Sequence, residues 1–415
     1  MRRINDDDEG DTNITGDEAR WRRELKAEFL RRRHQQQQQN ESGSRLLLPL
    51  VAVPFDEEEI VEMAEVLLSG RLTMGTIVEN AERRFAEAVG ARFAVMVNSG
   101  SSANLLAVAA MTNKRRSKRC VAGDHVLVPA VCWSTSVHPI IQMGLHPVFV
   151  DVDPLTFNVT TEMLEAKMTP SVRAVMAVHV LGNSIPIVDL LAFVDKYDLI
   201  LIEDTCEALG TTVTCDSDHK SSATTMKSGS DQDQTKISSP MRIWTAAKGH
   251  DETKPDHNTL KMLGTFGSFG TFSFFFSHHV TSGEGGMVVC RTEEDYNLLR
   301  SLRAHGWTRN LTNRKDIEAK YPSIDPRFLF VNLGFNLRPM EIQGAMLRVQ
   351  LTKLETFNAY RRRNMSKVVQ RLEKDPRYRR TMRLMADRSC LVRYRSASPS
   401  AIRPSTSRLS RIPRR

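Results

Sequence analysis

The sequence predicts an α/β protein whose central sheet is mostly parallel and covered by helices on both faces. Short runs rich in Val, Ile and Leu recur along the chain, as expected of strands that are buried on both faces. Segments with apolar residues at helical spacing separate most of these runs, and this alternation is typical of parallel sheets. With 415 residues and 40% hydrophobic content, the chain is long enough to bury such a core.

Two helices are predicted before the first strand, and five strands then alternate with helices. The segment Phe55–Leu68 follows a proline and has acidic residues in its first turn, as helix starts prefer, and Val78–Val89 is the second helix. The predicted strands are Ala94–Asn98, His125–Pro129, His146–Val150, Ala174–His179 and Ile200–Glu203. The helices between them are predicted at Ala103–Met111, Thr135–Met143, Glu162–Met168 and Val188–Tyr197.

The alternation is interrupted by an insertion at residues 211–263. Ser217–Ser239 is rich in Ser, Thr, Asp and Lys and has almost no apolar side chains, so the insertion is predicted to be disordered. Order resumes with the strand-rich segment Gly264–Cys290, and further helices are predicted at Glu293–Ala304 and Pro339–Glu373.

The chain divides into regions of different composition. The predicted regions are a disordered, low-complexity N-terminal tail (1–45), a large domain (46–345) that contains the disordered insertion (211–263), a long helix (346–375) and a disordered Arg/Ser-rich tail (376–415). Within the N-terminal tail, apolar residues recur at every fourth position and indicate a short, solvated helix around Glu18–Arg33.

The excess of basic residues lies in the C-terminal tail. The formal net charge is +9, but the residues after Asp375 include twelve arginines, no lysine and one acidic residue. The rest of the chain is therefore close to neutral, and we expect no nucleic-acid partner except through the tail.

The cysteines and the N-terminus indicate the cellular compartment in which the protein is expected. The six cysteines are scattered without a CxxC or CxC pair, which suits neither a zinc site nor an iron–sulfur cluster and indicates reduced thiols. No apolar run is long enough to span a bilayer, and the first residues lack the apolar stretch of a secretory signal. We expect a cytoplasmic protein with no metal site and no membrane partner.

Three segments carry residues suited to ligand binding. Asn98–Asn104 lies at a predicted strand–helix junction, where helix N–H groups can bind a phosphate, although a serine-rich helix cap explains it equally well. Glu203–Glu207 follows a strand directly, where an acid points into the ligand crevice of an α/β sheet or caps a helix. Ser273–Gly286 joins an aromatic strand to His278 and His279. Because adjacent strand residues point to opposite faces, one histidine acting as a base is favoured over a shared metal ion.

Together these segments resemble the DegT/StrS family of pyridoxal-phosphate-dependent sugar aminotransferases and dehydratases. The resemblance runs from about Leu48 to about Asp375 and is strongest at Asn98–Asn104, Pro129–Ser134, Ile202–Gly210, Gly270–Val289 and Leu302–Glu341. It implies a fold-type-I aminotransferase-like fold. It also implies an incomplete C-terminal small domain, because an Arg/Ser/Pro tail stands where the family has the domain that closes over the active site.

The resemblance implies pyridoxal 5'-phosphate or pyridoxamine 5'-phosphate as the cofactor. Ser101, Ser102 and Ser273 match the residues that hold the cofactor phosphate. Trp133 matches the aromatic residue that stacks on the pyridine ring.

Three further residues take roles from the resemblance. Asp204 matches the catalytic carboxylate that pairs with the ring nitrogen of the cofactor. Glu207 stands where relatives contact the phenolic oxygen. Asn336, within Gly334–Arg338, matches an asparagine that reaches the cofactor phosphate of the partner subunit, which implies a homodimer.

The lysine that binds the cofactor covalently in this family falls on His278. No lysine occurs from Leu263 to Cys290, and an imidazole cannot form an imine. The resemblance implies an unattached cofactor and a His278 that moves a proton and helps expel a sugar hydroxyl, as in the 4-keto-6-deoxy-sugar 3-dehydratases that lack this lysine. Ser273–Gly286 and Arg303–Arg309 look most like the GDP-4-keto-6-deoxymannose 3-dehydratase branch.

Three hypotheses follow for the function. The first is 3-deoxygenation of a nucleotide-linked 4-keto-6-deoxy sugar, with glutamate as the amino donor. The second is a nucleotide-sugar aminotransferase of the same family. The third is an inactive, truncated homologue that acts as a scaffold or RNA-associated protein.

Overall fold

The computed structural model describes residues 16–41, 54–215, 259–372 and 374–375. They form a seven-stranded sheet packed between helices and a separate two-stranded ribbon. Consecutive residues of the first strand belong to different core clusters: Val95 lies in one cluster and Met96 in another. Both faces of the sheet are therefore covered, as predicted.

The large sheet is parallel except at one strand. Its strands are Phe93–Val97 (β1), His125–Pro129 (β2), His146–Val150 (β3), Val172–Val178 (β4), Ile200–Asp204 (β5), Phe269–Ser273 (β8) and Gly286–Cys290 (β9). The order is β1-β9-β8-β5-β4-β2-β3, and β9 runs antiparallel to both of its neighbours. The predicted α/β class and mostly parallel sheet are confirmed.

The helices cover the two faces and lead to one long C-terminal helix. They are Gly16–Glu41 (α1), Glu57–Ser69 (α2), Thr76–Val89 (α3), Gly100–Thr112 (α4), His138–Gln142 (α5), Thr161–Glu165 (α6), Ile187–Lys196 (α7), Glu293–Arg303 (α8), Arg314–Glu318 (α9) and Glu341–Leu372 (α10). The predicted long helix is confirmed by α10. The predicted tail at 376–415 and the incomplete small domain lie outside the described residues.

The N-terminal segment differs from the prediction. The helix expected around Glu18–Arg33 is present, but α1 is longer and docks on the body of the protein. The ring of Phe29 lies 6.1 Å from that of Phe55, and Arg22 forms an ion pair with Glu65 of α2. The prediction of disorder for the whole of 1–45 is therefore wrong at Gly16–Glu41, because these contacts hold a helix that is polar around most of its surface.

The ends of the predicted insertion are also ordered. Thr212–Cys215 (β6) and Thr259–Met262 (β7) pair as an antiparallel ribbon. The prediction of disorder is wrong for these ends, since their backbone groups bond to each other rather than to water. Residues 216–258 lie outside the described residues.

A buried carboxylate fastens the loop that leads into β8. Glu203 is fully buried, and its oxygens accept N–H groups of Gly264, Phe266 and Gly267 at 2.7–2.9 Å. Its Oε2 also lies 3.3 Å from Nε2 of His179. Burial acts to raise the pKa of Glu203, but the interactions with His179 and the loop N–H groups outweigh it and hold the pKa below its usual value. Glu203 thus has a structural role beside Asp204.

We expect Glu203→Gln to lower the free energy of unfolding by about 2–4 kcal/mol, because an amide offers one acceptor oxygen where the carboxylate offers two. Because the pKa of Glu203 is lower in the folded state, its ionised form stabilises the fold at pH values above the unfolded-state pKa. This contribution is lost as the pH falls through the folded-state pKa. The difference between the proteins should therefore shrink in acid. Urea unfolding at neutral and acidic pH measures it. Glu165→Gln, which breaks an exposed pair with Lys196, is the matched control; equal losses in both variants would contradict the expectation.

Candidate active site

The strands that run in one direction end together at one edge of the sheet. β1, β2, β5 and β8 are parallel to one another, so their carboxyl ends lie at the same edge. The segments that follow them carry the predicted residues Ser101 and Trp133, while Asp204 and Ser273 are the last residues of their own strands. This edge is the candidate site.

The turn between β1 and α4 meets the end of β8 at close range. Ser99 caps α4 by accepting the N–H of Ser102 at 3.1 Å. A Cβ on Gly100 would lie only 2.5 Å from Cβ of Ser273, so this approach requires glycine. Ser101 is exposed and Ser102 is half-buried. The serine-rich turn thus caps helix α4. It also places serine hydroxyls and helix N–H groups at the candidate edge of the sheet.

Asp204 is buried and held by three donors. Its Oδ2 accepts hydrogen bonds from Nδ2 of Asn104 at 2.8 Å and from the hydroxyl of Ser136 at 2.7 Å. Its Oδ1 accepts the N–H of Cys206 at 3.2 Å. The hydroxyl of Thr271 donates to Oδ1 of Asn104 at 2.6 Å, which fixes the orientation of the amide. These bonds lock the carboxylate in one position.

Trp133 and Glu207 lie on the exposed side of this edge. The Trp133 side chain is 74% exposed and therefore offers a free aromatic face. Glu207 is exposed, and its Oε2 accepts the N–H of Leu181 at 2.5 Å. Leu181 has a φ of 53°, a left-handed conformation that is rare for leucine.

His278 and His279 lie in the turn after β8 and not on a strand, which corrects the strand argument made from the sequence. The N–H of His278 donates to the carbonyl of Phe275 at 3.0 Å. Nδ1 of His278 is buried and has no hydrogen-bond partner among the described residues. By contrast, both ring nitrogens of the buried His179 lie 3.3 Å from a partner, in Glu203 and Ile185. The imidazole of His278 therefore keeps one buried nitrogen, Nδ1, open to a ligand.

Burial lowers the pKa of His278, while the carboxylates of Glu207 and Asp204 act in the opposite direction. The imidazole is therefore neutral at neutral pH and suited to accept a proton. Burial, followed by the charge of Arg361, lowers the pKa of His279 to about 3. His279 is therefore uncharged at neutral pH.

Asn336 lies next to the start of the β1–α4 turn, because the carbonyl of the adjacent Leu337 accepts the N–H of Asn98 at 3.1 Å. It is exposed and lines a separate cleft of about 500 Å³ together with Trp307, Arg309 and Arg338. Its Oδ1 accepts a hydrogen bond from Nε of Arg338 at 3.0 Å. The structure thus brings Ser101, Ser102, Trp133, Asp204, Glu207, Ser273 and His278 to one edge, while the Asn336 side chain lines a different cleft.

Most of the residues that hold Asp204 carry no clear signal in the sequence. Asn104 was recognised only as the end of a motif, yet an amide inside the otherwise apolar run Ala103–Met111 is a signal for a buried polar contact. Ser136 and Thr271 lack such a signal, since each becomes relevant only when separate strands align. In the described part of the chain, no cluster of three or more His, Cys, Asp or Glu side chains is placed to hold a metal ion. None of the described helices is both long and apolar enough to span a bilayer.

Proteins of known activity resemble this chain over most of its length. A GDP-4-keto-6-deoxy-D-mannose 3-dehydratase from Escherichia coli O55:H7 is 36% identical over 332 residues, which are 79% of this chain and 73% of that protein. The structure of the E. coli GDP-4-keto-6-deoxy-D-mannose-3-dehydratase with bound hydrated PLP has a TM-score of 0.64 and 34% identity, covering 80% of this chain and 74% of that one. A second structure of a GDP-4-keto-6-deoxymannose-3-dehydratase, with a trapped PLP-glutamate geminal diamine, has a TM-score of 0.63 and 34% identity, covering 79% and 73%.

One family profile matches nearly all of the described chain. The match covers residues 54–403 and therefore includes every strand of the sheet and every residue at the candidate site. The solved structures confirm the fold-type-I aminotransferase-like fold that the motifs implied. The chain belongs to the DegT/DnrJ/EryC1/StrS aminotransferase family.

Proposed function

We propose that this protein is a pyridoxamine-phosphate-dependent 3-dehydratase of a nucleotide-linked 4-keto-6-deoxy sugar. The observation that carries the proposal is the histidine at position 278, beside Asp204, where the family has its cofactor-binding lysine. The named activity of the relatives at 34–36% identity supports the same reaction and a GDP-linked sugar as substrate.

The residues at the sheet edge fit the cofactor. The close approach of Gly100 and Ser273 provides a cradle of serine hydroxyls and helix N–H groups that suits a phosphate. The open face of Trp133 suits a stacked ring, and the buried carboxylate of Asp204 suits a protonated pyridine nitrogen. When bound, the cofactor would supply an electron sink for bond cleavage in the sugar.

The chain's own residues would orient and move protons. Asn104 and Ser136 hold the Asp204 carboxylate so that its negative charge is fixed before a ligand arrives. The neutral imidazole of His278 would take up a proton and then return it to the leaving hydroxyl group of the sugar. Glu207, within electrostatic reach of His278, would contact the phenolic oxygen of the cofactor.

We also propose a homodimer that completes the site. Asn336 forms no hydrogen bond to Asp204 in the described chain; its Oδ1 accepts from Arg338, and the family resemblance gives it a phosphate to bind. Near it in the chain, Phe328, Phe330 and Leu333 have 68%, 49% and 96% of their surface exposed. An apolar surface of this kind is typical of an interface, and a second copy would cover it and present Asn336 to the partner's cofactor.

The test is to incubate the purified protein with pyridoxamine phosphate, GDP-4-keto-6-deoxymannose and glutamate. The expected product is lighter than the substrate by one oxygen atom and appears together with 2-oxoglutarate and ammonia. An amino sugar formed without ammonia would instead identify an aminotransferase. A protein that leaves the cofactor spectrum unchanged would favour the scaffold hypothesis. Size-exclusion chromatography with light scattering tests the dimer.

Glu207→Gln should move the acid limb of the pH–rate profile to lower pH. The Glu207 carboxylate opposes the lowering of the His278 pKa by burial, so its removal lets that pKa fall further. Turnover depends on the neutral imidazole of His278. It is therefore present above the folded-state pKa of His278 and is lost as the pH falls through that pKa. Turnover measured between about pH 4 and pH 8 shows the limb. Glu165→Gln is the control; a limb that stays in place or moves to higher pH in Glu207→Gln would remove His278 from the proton transfer.

A further inference from the structure

Helix α10 is attached to the turn that carries His278. Nη2 of Arg361 donates to the carbonyl oxygen of His278 at 3.3 Å and to that of His279 at 3.2 Å. On the same helix, Oε1 of Gln350 accepts the N–H of Thr281 at 3.0 Å. The backbone of this turn is therefore held at both ends by α10.

The same helix is attached to the segment that carries Glu207. Nδ2 of Asn358 donates to the carbonyl oxygen of Leu209 at 3.5 Å, and the Asn358 side chain is buried. Gly210 has a φ of 96°, and a Cβ there would lie 2.0 Å from Nδ2 of Asn358. Only glycine allows Asn358 to reach this backbone.

A hydrogen bond joins the two attachments. Nη1 of Arg361 donates to Oδ1 of Asn358 at 3.4 Å. A continuous chain of hydrogen bonds thus runs from Leu209 through these two side chains to the carbonyl of His278. It links the loop after β5 to the turn after β8 without passing through the sheet.

Arg361 is not explained as one half of an ion pair. Burial alone lowers the pKa of Arg361, and no carboxylate among the described residues acts to raise it. Placing a cation in a half-buried position without an acid costs free energy, which its hydrogen bonds to carbonyl groups offset. These hydrogen bonds fix the position of the turn after β8 relative to the loop after β5.

We propose that Arg361 and Asn358 are positioning residues that set the place of the His278 imidazole relative to Glu207. The ring of His278 lies 6.1 Å from the ring of Phe275, and its Nδ1 has no hydrogen-bond partner in the described chain. The backbone that Arg361 holds therefore helps to set where the ring lies. The inference rests on the proposed function for the role of His278, but the attachment itself is a property of the protein without cofactor.

The test compares Arg361→Gln, Arg361→Lys and Arg363→Gln. Arg363 is exposed on the same helix and is the matched control for loss of charge. Arg361→Gln should speed hydrogen exchange of the amides around residues 278–282 in cofactor-free protein by about tenfold or more, while the strands keep their protection. It should also lower kcat on the order of 10- to 100-fold with KM for the nucleotide sugar nearly unchanged. Lysine, which keeps one donor group, should restore part of both.

Three outcomes would overturn the inference: unchanged exchange of the turn in Arg361→Gln, faster exchange spread evenly over the sheet with a matching drop in Tm, or the same effects in Arg363→Gln. Asn358→Ala provides a second variant and should loosen both the turn and the segment around Leu209. Failure of the proposed function has a different signature, since full turnover in His278→Asn would reject the role of His278 while leaving the exchange result intact.

Discussion

Asp204→Asn should fold like the parent protein and raise the barrier to turnover by about 3–4 kcal/mol, a rate loss on the order of several hundredfold. The amide has the shape of the carboxylate, so its oxygen can keep the bonds from Asn104 and Ser136. Its NH₂ group would meet the N–H of Cys206, and one hydrogen bond worth about 1 kcal/mol is lost. What disappears is the negative charge that would pair with a protonated pyridine nitrogen.

Steady-state turnover and urea unfolding, measured side by side, separate these effects. Asp151→Asn is the matched control, because Asp151 directly follows β3 at the same edge of the sheet but is exposed. Unchanged turnover in a well-folded Asp204→Asn protein would take this carboxylate out of the mechanism.

His278→Lys should make the protein bind pyridoxal phosphate covalently, whereas the proposed function requires a cofactor that is not attached. A lysine on the same turn carries a primary amine to the place where the imidazole lies, and this amine can form an imine where an imidazole cannot. Dehydratase turnover should fall by two orders of magnitude or more, on the order of the contribution of a general base, and transamination should rise.

Borohydride treatment followed by intact-protein mass spectrometry detects the attachment. His278→Asn is the companion variant, which should lose turnover equally but gain no mass. Covalent reduction of the cofactor onto the unaltered protein would show that another amine already binds it, and the assignment of His278 would then be wrong.

The strand ends and several site residues were predictable because their signals are local. Five Val/Ile/Leu-rich strands and the acid at the end of β5 can be read from neighbouring residues in the sequence. The motif around Ser101 was likewise predictable, and the structure shows that Ser99 caps the helix there. Identification of the family required the order of several such motifs rather than any one of them.

The remainder depends on contacts between residues that are distant in the chain. Asn104 meets Asp204 across 100 positions, and Arg361 meets His278 across 83. No periodicity or spacing predicts which residues face each other after the strands align. The docking of α1 could not be predicted from the sequence for a similar reason, because Phe29 contacts Phe55 only in the folded state. The strand geometry assumed for His278 failed because β9 reverses direction and places a turn there.

The ribbon of β6 and β7 affects how the chain reaches this fold. β5 and β8 are parallel neighbours in the sheet, so their pairing must close a long loop that includes the whole insertion, and the entropic penalty of closure grows with loop length. Pairing of Cys215 with Thr259 removes everything between them from that loop. The loop that the ribbon closes is shorter than the one between β5 and β8, so its closure costs less entropy. We expect the ribbon to form early and to bring Asp204 and Thr271 closer to their native register. Substitutions that break the ribbon should therefore slow refolding more than they speed unfolding.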